Sequence, residues 1–133
     1  MKRLFNIFLL TCLINIQAVR GQRYAALIWG DNGVVAGDTI SMQQAHSIKG
    51  VECIEITKSF SLKKHEMFWY RLLICEGTDS TVYVNNKGLL SAKMRDHLSR
   101  VKPGAQLYFE GLQGILPKTE DMVNLTLIKF IVM

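Results

Sequence analysis

From Tyr24 onward the chain is a succession of short apolar, β-branched runs, each closed by a cluster of turn formers. Tyr24 to Trp29 stops at Gly30-Asp31-Asn32-Gly33, Gly37-Asp38 separates Val34–Ala36 from Thr39–Gln43, and Thr81–Val84 ends at Asn85-Asn86-Lys87-Gly88. Residues 51–62 and 67–76 read as the arms of a long hairpin turning near Lys63-Lys64-His65, with Gly77 to Ser80 ending it. Gln106–Gln113 and Leu125–Val132 are two closing strands. Many short strands with turns between them predict a mainly β chain, folded as a two-sheet β-sandwich. One short α-helix is expected: Ser91 can cap it, Met94, Leu98 and Val101 share one face, Leu90 staples its first turn, and Lys102-Pro103-Gly104 stops it near Arg100.

The first segment differs in kind. Lys2-Arg3 precedes the apolar run Leu4–Ile16, which Asn6, Thr11, Cys12 and Asn15 interrupt. The run is too short to span a bilayer, which takes about 20 apolar residues. It has the form of a signal peptide over residues 1–21, with Val19 and Gly21 before a cleavage site at Gln22. Residues 22–133 are then a single exported domain, periplasmic or secreted. Export also removes most of the basic excess. Lys2, Arg3 and Arg20 are three of the 16 Lys and Arg residues, and all 11 acidic residues follow position 30, so the mature charge is +2 rather than +5. That is no electrostatic footprint for nucleic acid.

Cleavage would leave two cysteines, Cys53 and Cys75, in a compartment where disulfides persist. A hairpin register with Phe60 opposite Phe68 and Ile56 opposite Leu72 sets Cys53 beside Cys75 and predicts a bridge. Ile54, Ile56, Phe60, Phe68, Tyr70, Leu72 and Ile74 then face the core, because side chains alternate along a strand. Two buried free thiols are the alternative. Leu107, Phe109, Ile128 and Phe130 complete the expected core.

No constellation points to chemistry, and the expectation is a non-enzyme without cofactor or metal. His46, His65 and His97 stand apart; His65 reads as a turn residue and His97 as an exposed helix residue. Ser91 lacks a nucleophile elbow, Asp31-Asn32-Gly33 lacks the ligand pattern of a calcium loop, and Glu52 and Glu55 fall on opposite strand faces. Trp69 is a candidate contact aromatic.

The segments Ile54-x-Ile56-x-x-Ser59-Phe60, Gly88-Leu-Leu-Ser91-x-x-Met94-x-x-x-Leu98, Pro103-Gly104, Leu107-Tyr-Phe-Glu110-x-Leu112 and Leu125-x-Leu-Ile128-x-Phe130 carry a resemblance. In order and spacing they resemble the C-terminal domain of the gliding-motility protein GldM and its relative PorM, over roughly Gly33 to Met133. The resemblance implies a β-sandwich with one short helix in the periplasm of Bacteroidetes. It also implies the distal domain of an elongated dimer that contacts an outer-membrane-associated ring of the type IX secretion machinery. The membrane helix and the preceding domains of that family have no counterpart here, so its motor role is not carried over. The expected function is a protein-interaction module of the envelope, accessory to type IX secretion or gliding, with envelope proteins or a second copy as partner. The alternative is a secreted binder of a glycan or of a host or rival protein such as a protease. Candidate contacts are Lys63, Lys64 and His65 at the expected hairpin tip, Trp69, and Ile115, Leu116 and Lys118 in a loop that departs from the family. Asp38-Thr39-Ile40 and Asp79-Ser80-Thr81 resemble a Bacteroidetes O-glycosylation sequon at Thr39 and Ser80.

Overall fold

The computed structural model describes residues 23–133 apart from Lys58, Phe60 and Pro117. The expected signal peptide with its Cys12, and the expected core residue Phe60, lie outside the described residues. In chain order the elements are β1 (Arg23–Gly30), β2 (Gly33–Val35), β3 (Thr39–Ile40), α1 (Met42–Ser47), β4 (Ile48–Ile56), β5 (Leu62–Glu76), β6 (Asp79–Asn85), α2 (Ala92–Leu98), β7 (Gln106–Ile115), β8 (Met122–Asn124) and β9 (Ile128–Val132). The protein is mainly β with short helices, as the turn punctuation predicts. The strands run β2-β1-β4-β5-β7-β9-β3, with β6 added to β5 and β8 to β7. Long β5 joins what the sequence suggests as two sheets into one, which curls into a nearly closed, barrel-like shape.

Both helices are fixed locally. Ser91 caps α2 by accepting from the Met94 N–H, and Met94 and Leu98 are fully buried. α1 replaces the end of the strand expected over Thr39–Gln43: the Ser41 hydroxyl accepts from the Gln44 N–H while the Gln44 side chain accepts from the Ser41 N–H. This reciprocal cap satisfies two amides that a strand ending there would leave open. The main core gathers Tyr70, Leu72 and Ile74 of β5, Leu107 and Phe109 of β7, Phe130 of β9, and α2. Phe109 meets Phe130 edge to face at 6.2 Å and Tyr70 at 6.4 Å between ring centroids.

The hairpin register differs from the sequence expectation, and the disulfide falls with it. Cys53 lies opposite His65, ten positions before Cys75, and Ile56 lies opposite Leu62. The turn is at residues 57–61, where the hydroxyls of Thr57, Ser59 and Ser61 bond to one another and the Thr57 N–H donates to the Ser61 carbonyl. Hydroxyl side chains that bond their own turn make this tighter closure favourable. Cys53 is a buried free thiol, while Cys75 is a half-buried free thiol between Ser80 and Gln106.

Inward parity also changes within β5. His65 and Met67 are buried, then Tyr70, Leu72 and Ile74, so the inward set passes from odd to even positions. Register irregularities on both sides of Trp69 mark the change. β7 makes the same switch from Leu107 and Phe109 to Leu112 and Gly114. Gly111 sits between them at φ +60, under the Trp69 ring, where a Cβ would come within 2.6 Å of the indole. These paired bulges turn Phe68 outward, 43% exposed, against its expected place in the core. Ile54 and Ile56 are buried as expected, but on the opposite face of the sheet, with Ala25, Leu27, Val34 and Leu62.

Candidate functional site

β4 and β5 part company after the Cys53–His65 pair, and from Glu66 onward β5 pairs with β7, Glu66 opposite Ile115 and Met67 opposite Gly114. Beyond the parting, β4 is held by the loop that follows β6. The Val51 N–H donates to the Gly88 carbonyl at 2.8 Å, and the Leu90 N–H to the Lys49 carbonyl at 2.9 Å. The divergence leaves a cleft of about 830 Å³. Val51 and Glu52 line it from β4, Lys64 to Met67 from β5, Asn86 to Gly88 from the loop, and Ile115, Leu116 and Glu120 from the end of β7.

Four residues nominated from the sequence therefore share one wall system: Lys64, His65, Ile115 and Leu116. Lys64 and His65 belong to a strand rather than to a hairpin tip. Lys63 is exposed on β5 opposite Glu55, and Lys118 is exposed beyond Leu116. Trp69 is half-buried over Gly111 with the Arg71 guanidinium 5.7 Å from its ring centroid, away from the cleft lining. Both charge signs line the cleft. Glu52, Glu66 and Glu120 face Lys64 and Lys87, with Lys64 Nζ 3.6 Å from Glu52 Oε2. Such a lining suits a polypeptide of mixed charge and offers nothing special to a polyanion.

Behind the cleft lies a titratable cluster that the sequence reading missed. The Tyr24 and His65 ring centroids are 6.1 Å apart, and His65 Nε2–H donates to Glu55 Oε1 at 2.8 Å. His65 Nδ1 is buried without a hydrogen-bond partner among the described residues. Cys53, Glu55 and His65 are the residue types of a thiol relay, in which a base takes the thiol proton and a carboxylate orients the base. Burial, and then the Glu55 carboxylate, push the Cys53 thiol up to about 12. The same two causes, in that order, raise the Tyr24 phenol. A thiol so held stays protonated near neutral pH and is a poor nucleophile. Only the register brings the three together, so a different hairpin turn was enough to hide them.

The remaining nominees are dispersed. His97 is half-buried rather than an exposed helix residue: its Nε2–H donates to Glu76 Oε1 at 2.5 Å, and its Nδ1 accepts from the Tyr83 hydroxyl at 2.8 Å. It ties α2 to the β5–β6 turn. His46 Nε2 lies 3.1 Å from the Val101 carbonyl, and Asp31, in the β1–β2 turn, pairs with Lys49 of β4. Thr39 and Ser80 are both exposed, at the two ends of one row that crosses the sheet through Ile131, Gln106 and Cys75. Among the described residues no group of three or more His, Cys, Asp and Glu could hold a metal ion, and no helix is long and apolar enough to cross a membrane.

No family model matches this chain, and no curated protein matches it.

Proposed function

We propose that the exported domain is a non-catalytic interaction module of the cell envelope, and that the β4–β5 cleft is where it takes a partner polypeptide. The observation that carries this reading is the convergence of Lys64, His65, Ile115 and Leu116, from separate stretches of chain, on one open cleft of mixed charge. Recognition on a β scaffold is concentrated where strands end and loops begin. The resemblance to the GldM tail supports the same assignment, with a partner drawn from secretion or gliding machinery. The protonated, buried Cys53 supports a binding role over thiol chemistry. Glycan binding has less support, since among the described residues no Trp, Tyr or Phe lines the cleft.

The test is capture from envelope fractions with the exported protein as bait, compared with a Lys64→Glu, Leu116→Ser double variant. Both side chains are at least partly exposed, so circular dichroism should be unchanged while capture of the main partner falls at least about tenfold, the equivalent of about 1.4 kcal/mol. Undiminished capture, or a measurable turnover abolished by Cys53→Ala or His65→Asn, refutes the reading.

A further inference from the structure

β6 is an edge strand without the usual defences. It pairs with β5 in unbroken register from Asp79–Glu76 to Asn85–Tyr70, and among the described residues its backbone bonds to the backbone of no other strand or loop. Edge strands avoid joining other sheets by being short, by bulging, or by carrying Pro and Lys. β2 and β8 offer three residues each and β3 only two. β6 offers seven, Asp-Ser-Thr-Val-Tyr-Val-Asn, with neither Pro nor Lys and with no bulge. Its outward Val82 and Val84 are 55% and 59% exposed, an unusual state for β-branched residues side by side on one face.

We propose that β6 pairs antiparallel with β6 of a second copy about a two-fold axis through Val82, continuing the sheet across the dimer. The strand is self-complementary in that register. Val82 meets the partner's Val82, Ser80 meets the partner's Val84, and Thr81 meets the partner's Tyr83. At each end Asp79 meets the partner's Asn85, so no like charges are opposed, and cross-strand pairs of this kind are the unit of sheet stabilisation. Tyr83 is already held through its hydroxyl to His97, so its side chain is fixed before pairing. A second copy is the occupant because an isologous contact needs one patch to satisfy itself, which this sequence does. An edge of seven residues is a small interface, so the dimer is weak, with a dissociation constant of roughly micromolar to millimolar. The inference rests on the module reading above but uses a different surface.

Sedimentation equilibrium of the exported protein over a concentration series tests it. The wild type should show a reversible monomer–dimer equilibrium. Val82→Lys and Val82→Glu, each placing like charges face to face on the axis, should each weaken it at least tenfold with unchanged circular dichroism. An equimolar mixture of the two variants should recover a heterodimer, which a merely misfolded variant cannot do. A wild type that stays monomeric through the millimolar range, variants that dimerise like wild type, or a mixture that does not associate each overturn the proposal. A wild type that captures its partner yet stays monomeric speaks against β6 alone, whereas undiminished capture by the cleft variant with the dimer intact speaks against the cleft alone.

Discussion

Thiol alkylation under native conditions distinguishes the observed register from a bridged one in a single experiment. Cys53 is fully buried and its pKa is pushed from the ordinary 9.0 to about 12. The thiolate is the reactive form, so at pH 8 an ordinary thiol is about one-tenth reactive and Cys53 about one part in ten thousand, a ratio of about a thousand. Close packing adds to this. Gly114 of β7 lies so near that a Cβ there would come within 2.5 Å of Cys53 Sγ, leaving no path for a reagent without local opening. The protein is treated with iodoacetamide at pH 8 without reductant, sampled over time, and mapped by peptide mass spectrometry beside a urea-unfolded control. Half-buried Cys75 is expected to react in the native protein, while Cys53 reacts at least about a thousandfold more slowly than in the unfolded chain. Reaction of native Cys53 within tenfold of its unfolded rate would falsify the burial argument. If neither thiol reacts until a reductant is added, a Cys53–Cys75 bridge exists and the register itself is wrong.

Two further outcomes follow from the core. Burial pushes the Tyr70 phenol up to about 12, with the Asn85 hydrogen bond pulling the other way, so Tyr70 and Cys53 both hold their protons more tightly when folded. The stability they contribute is whole below about pH 9 and is lost as pH rises toward 12, up to about 4 kcal/mol for Cys53. Urea titrations from pH 8 to 11 should show that loss, and Cys53→Ala should flatten it; an equal slope in the variant refutes the assignment. Phe109→Ala removes a fully buried ring packed on Tyr70 and Phe130, and should cost about 3–5 kcal/mol in urea unfolding at pH 7. A loss below about 1 kcal/mol would mean that the core is not organised around that ring.

Much of the local structure was legible in the sequence. The Ser91 cap, the Met94–Leu98 face and the Pro103-Gly104 stop are short-range patterns, and α2 forms where they place it. The alternation of Leu107 and Phe109, and the Asp31-Asn32-Gly33 turn, rest on side-chain period and backbone angles within a few residues. The candidate contacts are partly legible too: the chain marks Lys64 and His65, although as a hairpin tip and not as the strand they occupy.

Pairing was decided by tertiary structure. A β-strand is compatible with several registers of like parity, and the ten-residue choice between Cys53–Cys75 and Cys53–His65 depends on which closure is cheaper in the whole fold. The serine and threonine hydroxyls at 57, 59 and 61 were the available signal for the tighter turn. The bulge pair at Trp69 and Gly111 is less accessible still. It moves one residue out of the ladder on each strand, exchanges the faces of everything beyond, and shows in sequence only as a glycine in an apolar run. Because the cleft opens where β5 changes partners, next to that exchange, its residue types could be read from the chain, but their meeting depended on the long-range path of β4, β5 and β7.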